Sequence, residues 1–230
     1  MTTIPGNLQH VRARIATACQ RAGRGVEEVT LLAVSKTFGA DAVRAAAAAG
    51  QRAFGENYIQ EGVEKIAALR DLGLMWHCIG PIQSNKTRLV AEHLDWVHTV
   101  DRLKIAERLS AQRPADRPPL NVCIQVNIDG GANKSGVAPG EALALARAVA
   151  ALPQLKLRGL MSIPEIAPDF EAARAVHASA RALFDQLNAD GLGLDTLSMG
   201  MSDDLEAAIA AGSTMVRVGT AIFGSRASKP

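Results

Sequence analysis

The chain has 230 residues, 48% of them hydrophobic, enough for one sizeable core, and one domain spanning 1–230 is expected. A net charge of +2 and an aromatic share of 3% leave neither the field nor the stacking surface that nucleic acid or an anionic membrane requires. Cys19, Cys78 and Cys123 are far apart with no CxxC pair, the N-terminus lacks a signal-peptide core, and no run approaches the ~20 apolar residues of a bilayer span, so a cytoplasmic protein is expected.

The segment 5–22 carries Leu8, Val11, Ile15 and Ala18 at helical spacing, and the glycines of RAGRG end it. A strand is expected over 30–36, where Leu31, Leu32, Ala33 and Val34 are apolar on both faces, then a helix over 40–49 stopped by Gly50. The unit recurs as strand 52–57 and helix 59–70, strand 75–80 and helix 85–92, strand 96–100 and helix 102–112. It continues through strand 120–128 and helix 140–151, strand 155–163 and helix 170–189, strand 194–198 and helix 203–211, and ends on strand 215–219. The Pro-rich stretch QRPADRPPL could be an interdomain linker, but the alternation runs across it unchanged, and a surface loop is expected.

Eight strands, each but the last followed by a helix, imply a parallel sheet. Eight such units at this length match an α/β fold, a closed (β/α)8 TIM-type barrel with an extra N-terminal helix. A doubly wound open sheet would want a glycine-rich phosphate fingerprint after the first strand, and SKTFGA is not one. In a barrel the loops after the strands build the active face, so the strand ends hold the residues of interest.

Lys36 is the first. If Leu32 and Val34 point into the barrel, a period of two turns Lys36 inward as well. Lost hydration favours the neutral amine, the form that attacks carbonyls. A strand-end lysine can equally lay its stem on apolar surface and keep its charge in water, and the residue alone leaves both open. In SMGMSDDLEAAIAAG, Gly200 lets backbone approach a ligand, and Ser202 stands at an expected helix start, where N–H groups bind anions. Ser202 can also be a plain N-cap, with Asp203 and Glu206 as a capping box, and two Asp beside an anion site would repel it unless turned away. In MVRVGTAIFG, Gly219 and Thr220 end the last strand. Barrels often hold phosphate between the loops after strands seven and eight, and here both ends pair glycine with a hydroxyl. Arg217 shares a face with Gly219, so it would face a ring nitrogen or a carboxylate beneath the phosphate, or sit in a buried salt bridge.

Other motifs count against common chemistries. GGANKSG has the Lys-Ser of a P-loop without its spacing; nucleotide hydrolysis is not expected, and the loop over 129–138, with Lys134, reads as a lid. His77 and Cys78 are adjacent and face opposite ways on a strand, and neither HExxH nor GxSxG occurs, so a catalytic metal and a serine nucleophile are not expected.

A strand-one lysine, a phosphate corner and an inward arginine suit an aldehyde, a phosphate and a pyridine nitrogen, the three handles of pyridoxal 5′-phosphate. The motifs AVSKT, FGENYIQE, WHCIGPIQSNK, GLMSIP and LSMGMSDDLEAAIAAGSTMVRVGTAIFG, in that order between Val11 and Gly224, resemble the pyridoxal phosphate homeostasis protein family. The resemblance implies a barrel like the N-terminal domain of alanine racemase, with Lys36 carrying the cofactor as an internal aldimine. Ser202, Gly219 and Thr220 match the positions that hold the phosphate, Arg217 matches the arginine facing the pyridine nitrogen, and Asn57 lies at the cofactor face. Cys78 departs from the family, where an aromatic residue is common. A cation at the pyridine nitrogen disfavours its protonation and weakens the ring as an electron sink, so strong carbanion chemistry is not expected.

The resemblance leaves two functions to weigh: a monomeric carrier that passes pyridoxal phosphate to apo-enzymes without turnover, and an amino-acid racemase. Racemisation needs bases on both faces of Cα. Alanine racemase draws its opposing tyrosine from a C-terminal domain; none is expected after Gly224, and Tyr58 is the single tyrosine here. The carrier is therefore the expectation. A scaffold barrel with an inert Lys36 is the third possibility.

Overall fold

The computed structural model describes residues 3–131 and 135–225. Eight parallel strands, β1 (Thr30–Val34), β2 (Ala53–Glu56), β3 (Met75–Cys78), β4 (Trp96–Val100), β5 (Leu120–Gln125), β6 (Leu155–Met161), β7 (Thr196–Ser198) and β8 (Met215–Val218), pair in chain order. Pairing of β8 with β1 closes the barrel, with Leu32 opposite Arg217 and Ala33 opposite Val218. Helix α1 (Ile4–Arg21) precedes the first strand. Helices α2 (Ala40–Ala48), α3 (Ile59–Ala68), α4 (Thr87–His93), α5 (Leu103–Gln112), α6 (Ala142–Ala150), α7 (Phe170–Ala189) and α8 (Leu205–Ala210) follow the strands in turn. This is the (β/α)8 barrel with an extra N-terminal helix that the alternation implies. A four-residue helix, α9 (Thr220–Phe223), also follows β8, where the pattern has none. It is too short for a periodic signal, and tertiary contacts hold it: Phe223 stacks on Phe38 at 5.1 Å and Asn7 Nδ2 donates to Ile222 O at 2.9 Å.

Strand parity divides the apolar residues into two layers. Ala33, Phe54, Trp76, Val97, Val122, Ile124, Leu160, Leu197, Val216 and Val218 belong to the large outer core under the helices. Leu32, Val34, Ile79 and Met215 fill one part of the barrel interior, and Trp96, Cys123 and Met161 another. Strands covered on both faces read as unbroken apolar runs, which is why their alternation is hard to see in the sequence. Helix α1 buries Leu8, Val11 and Ile15 against the barrel, each contributing roughly 1.5–3 kcal/mol. Gly159 is required where β6 meets β7: a Cβ there would lie 1.6 Å from Thr196 O.

Most strands end earlier than their apolar runs. Positions 35–36, 57, 79–80, 126–128 and 162–163 have left their strands and form the loops of the C-terminal mouth. The Pro-rich stretch is the loop into β5, and Arg113 pins it by donating to Ala91 O and Leu94 O, both at 2.7 Å. No described helix is long and apolar enough to cross a membrane.

Candidate functional site

The six residues singled out in the sequence lie at the C-terminal ends of four consecutive strands, β7, β8, β1 and β2. After β7 the chain passes Gly200, whose φ of 93° and lack of a Cβ let the turn pack on α8; a Cβ there would sit 2.4 Å from Ala208 Cβ. Ser202 follows. It does not cap α8, which begins at Leu205 with Asp204 before it. Glu206 makes no capping box either, since Arg14 of α1 holds both of its oxygens at 2.8 and 2.9 Å and also donates to Ser202 O at 2.8 Å. Asp204 is turned into its own loop. It accepts from Met201 N at 2.6 Å and from His177 Nε2 at 2.8 Å. Burial raises its pKa, and those two bonds outweigh that and hold it below the ordinary carboxylate range. One of the two Asp that opposed an anion site thus has both oxygens engaged, while Asp203 stays exposed.

The end of β8 comes to the same place. Thr220 Oγ1 donates to Ser202 Oγ at 3.3 Å, so the two hydroxyls share one corner. Gly219 lies against β1, where a Cβ would meet Val34 O at 3.2 Å. Helix α9 starts on it, and the first N–H groups of that helix precede its internal ladder. Hydroxyls and leading N–H groups at one corner are the chemistry of an anion cradle.

Arg217 enters the barrel interior below that corner. It is buried, donating to Ser198 Oγ at 2.7 Å and to Ser162 O at 2.8 Å. Burial lowers it to about 10, which leaves it charged near neutral pH. Its neighbours are not a carboxylate, so the buried salt bridge entertained for it is not made among the described residues. The guanidinium carries five N–H donors, more than these two bonds use.

Ser198 continues inward as a polar row. His98 Nδ1 lies 2.9 Å from Ser198 Oγ, and His98 Nε2 lies 2.8 Å from His77 Nδ1. Burial pushes His77 down to about 3 and His98 well below its ordinary value, so both rings are neutral. His77 stacks on Trp96 at 5.2 Å, and the Arg158 guanidinium lies over the Trp96 ring at 4.6 Å. Cys78 belongs to the outer core, opposite to His77, as strand parity requires. Sequence reading missed this row. Its signal was there: His98 has the parity of Trp96 on one strand, and Ser198 that of Gly200 on another.

Lys36 follows Ser35 at the end of β1 and is half-buried. Leu32 and Val34 do point into the barrel. Residues 35–38 close a turn, Phe38 N donating to Ser35 O at 3.0 Å, and Thr37 occupies it with φ 70°. Asn57, after β2, is half-buried and its Oδ1 is buried with no hydrogen-bond partner. Gly80 packs on it so closely that a Cβ would lie 2.2 Å from Asn57 O. Ser162 Oγ, at the end of β6, is also buried and unpartnered. Buried polar atoms are rarely left so without a ligand or water to serve them. Of the loop over 129–138 expected to act as a lid, residues 132–134, with Lys134, lie outside the described residues; at its base Asn127 Nδ2 donates to Gly131 O and Val137 N to Gln125 O, both at 2.9 Å. Among the described residues no three His, Cys, Asp or Glu converge as metal ligands.

The family model for the alanine racemase N-terminal domain matches residues 6–227. A pyridoxal phosphate homeostasis protein from Pseudomonas aeruginosa is 63% identical over 226 residues, covering 98% of this chain and 97% of that one. Its counterpart from Escherichia coli is 58% identical over 233 residues, covering 98% of each. Among solved structures, PipY of Synechococcus elongatus, determined with PLP bound, is 39% identical with a TM-score of 0.80, covering 91% of this chain and 100% of that one.

Proposed function

We propose, for a chain that belongs to the pyridoxal phosphate homeostasis proteins on the barrel of the alanine racemase N-terminal domain, that it holds pyridoxal 5′-phosphate at the barrel mouth and hands it to apo-enzymes. One observation carries the reading. An amine, a buried guanidinium and a hydroxyl pair stand at the ends of three neighbouring strands, Lys36 after β1, Arg217 on β8, and Ser202 with Thr220 between β7 and β8.

The donor set fits the group. When bound, the cofactor supplies an aldehyde and an electron-accepting ring. Lys36 would hold the aldehyde end of the cofactor through its amine, which reacts with a carbonyl in its neutral form. Ser202, Thr220 and the N–H groups that open α9 at Gly219 hold the phosphate. Arg217, fixed by Ser198 and Ser162, would offer its remaining donors to the ring nitrogen. Asn57 brings a buried acceptor to the same mouth.

The test is covalent. Borohydride reduction of the loaded protein followed by peptide mapping should put the pyridoxyl group on Lys36; a label on Lys86 or Lys134 sinks the assignment. The racemase reading has one observation behind it, since Tyr58 is 55% exposed just past β2. The carrier is preferred because relatives of the same length, matched nearly end to end, carry a homeostasis name.

A further inference from the structure

A buried ionic cluster lies directly behind the turn that bears Lys36, and nothing in the cofactor chemistry above uses it. Lys65 of α3 is 6% exposed and Glu56 of β2 is 2% exposed. Lys65 Nζ donates to Glu56 Oε1 at 2.8 Å, to Glu61 Oε1 at 2.6 Å and to Ser35 O at 2.8 Å, which uses all three ammonium protons. Ser35 Oγ donates to Glu56 Oε1 at 2.6 Å, and Glu61 Oε1 accepts from Thr37 N at 2.7 Å. Gly62 lets α3 come this close, since a Cβ there would meet Glu56 Cβ at 3.3 Å.

The two residues gripped by the cluster are those on either side of Lys36. Ser35 is held by its carbonyl and its hydroxyl, Thr37 by its N–H. Thr37 sits at the third position of the 35–38 turn with φ 70°, a conformation that glycine adopts freely and a β-branched residue resists. A strained residue persists only where its surroundings over-determine it, and here the turn bond from Phe38 N to Ser35 O is joined by Glu61 and by the lysine that anchors Glu61.

From this geometry we infer that Glu56, Glu61 and Lys65 are positioning residues for Lys36: they force Thr37 into the left-handed turn that aims the Lys36 amine at the cofactor aldehyde. The inference rests on Lys36 being the Schiff-base lysine, and its test is built to separate the two. Glu61→Ala is the variant of choice, because Lys65 keeps Glu56 as its buried counter-ion and the side chain removed is itself partly exposed. Two ligands are compared by titration: pyridoxal 5′-phosphate, read by its imine absorbance, and deoxypyridoxine 5′-phosphate, which has ring and phosphate but no aldehyde.

In Glu61→Ala the imine equilibrium should weaken by about tenfold, the worth of one charge-assisted hydrogen bond, with deoxypyridoxine phosphate affinity unchanged. Adding Thr37→Gly should restore most of the imine, because glycine holds the turn without a clamp. An unchanged imine equilibrium in Glu61→Ala overturns the inference. So does an equal loss for both ligands, or a failure of Thr37→Gly to rescue. Should borohydride label a lysine other than Lys36 in the unmodified protein, the functional reading falls first and this one with it.

Discussion

Single atoms decide what Ser202 does. As an N-cap it would serve α8 and its loss would cost helix stability, typically ~1 kcal/mol. The helix begins three residues later, and the hydroxyl instead meets Thr220 Oγ1. Ser202→Ala should therefore leave the melting temperature nearly unchanged and weaken pyridoxal phosphate binding by about 1–3 kcal/mol, while pyridoxal without its phosphate binds both proteins alike. Equal losses for the two ligands would remove Ser202 from the phosphate corner. Thr37 is the opposite kind of residue, one whose backbone works against it: a β-branched side chain at positive φ costs about 1–3 kcal/mol, which the bond from its N–H to Glu61 offsets.

At the scale of elements, β3, β4, β7 and β8 share one polar row through the barrel, from His77 and His98 to Ser198 and Arg217. The row works only with neutral rings. In the unfolded chain a histidine takes a proton near pH 6.5, whereas folded His77 resists it down to about 3. The folded state binds fewer protons in that window, so the stability this row contributes is complete above pH 6.5 and drains away as pH falls toward 3. For each such histidine the loss is about 1.4 kcal/mol per pH unit. Unfolding free energies from denaturant titrations should fall below about pH 6.5 with a slope that approaches two protons near pH 5, and in His77→Phe one proton. An unchanged slope in the variant would mean that His77 is charged, or exchanges with water, in the folded barrel. Arg14 plays a different structural part. It ties α1 to Glu206 and to the carbonyl of Ser202, so the extra N-terminal helix braces the loop after β7.

For the whole molecule the question is whether a loaded barrel turns over or releases its cofactor. A carrier should reactivate an apo-enzyme dependent on pyridoxal phosphate when mixed with it, while L- and D-amino acids incubated with the loaded barrel stay as they were. Lys36→Ala should fold, lose the imine absorbance and lose delivery. Steady conversion of an L-amino acid to its D-form, abolished in both Lys36→Ala and Tyr58→Phe, would make the protein a racemase.

The barrel was legible from the chain because eight apolar runs alternate with helical periodicity, and a parallel sheet under crossover helices buries such strands on both faces. Lys36 and Arg217 could be picked out for a related reason, since parity along one strand is local and a residue's facing follows from its neighbours two positions away, while Gly219 and Thr220 were legible as the end of the last strand, where barrels hold phosphate. Tertiary structure alone decided the rest. Nothing local brings Ser202 to Thr220, His77 to His98, or Lys65 to the carbonyl of Ser35, because each pair spans two neighbouring βα units and meets only when their strands pair; His98 and Ser198, on β4 and β7, meet only across the closed barrel. The end of β8 shows the same division: apolar parity foretold the strand, but α9 has too few residues to carry a period and exists because Phe38 and Asn7 hold it in place. Sequence by itself determined the order of strands and helices and that eight strands are covered on both faces; strand pairing and closure of the barrel decided where each strand ends and which side chains touch, since distance between strands is set by packing and not by position along the chain.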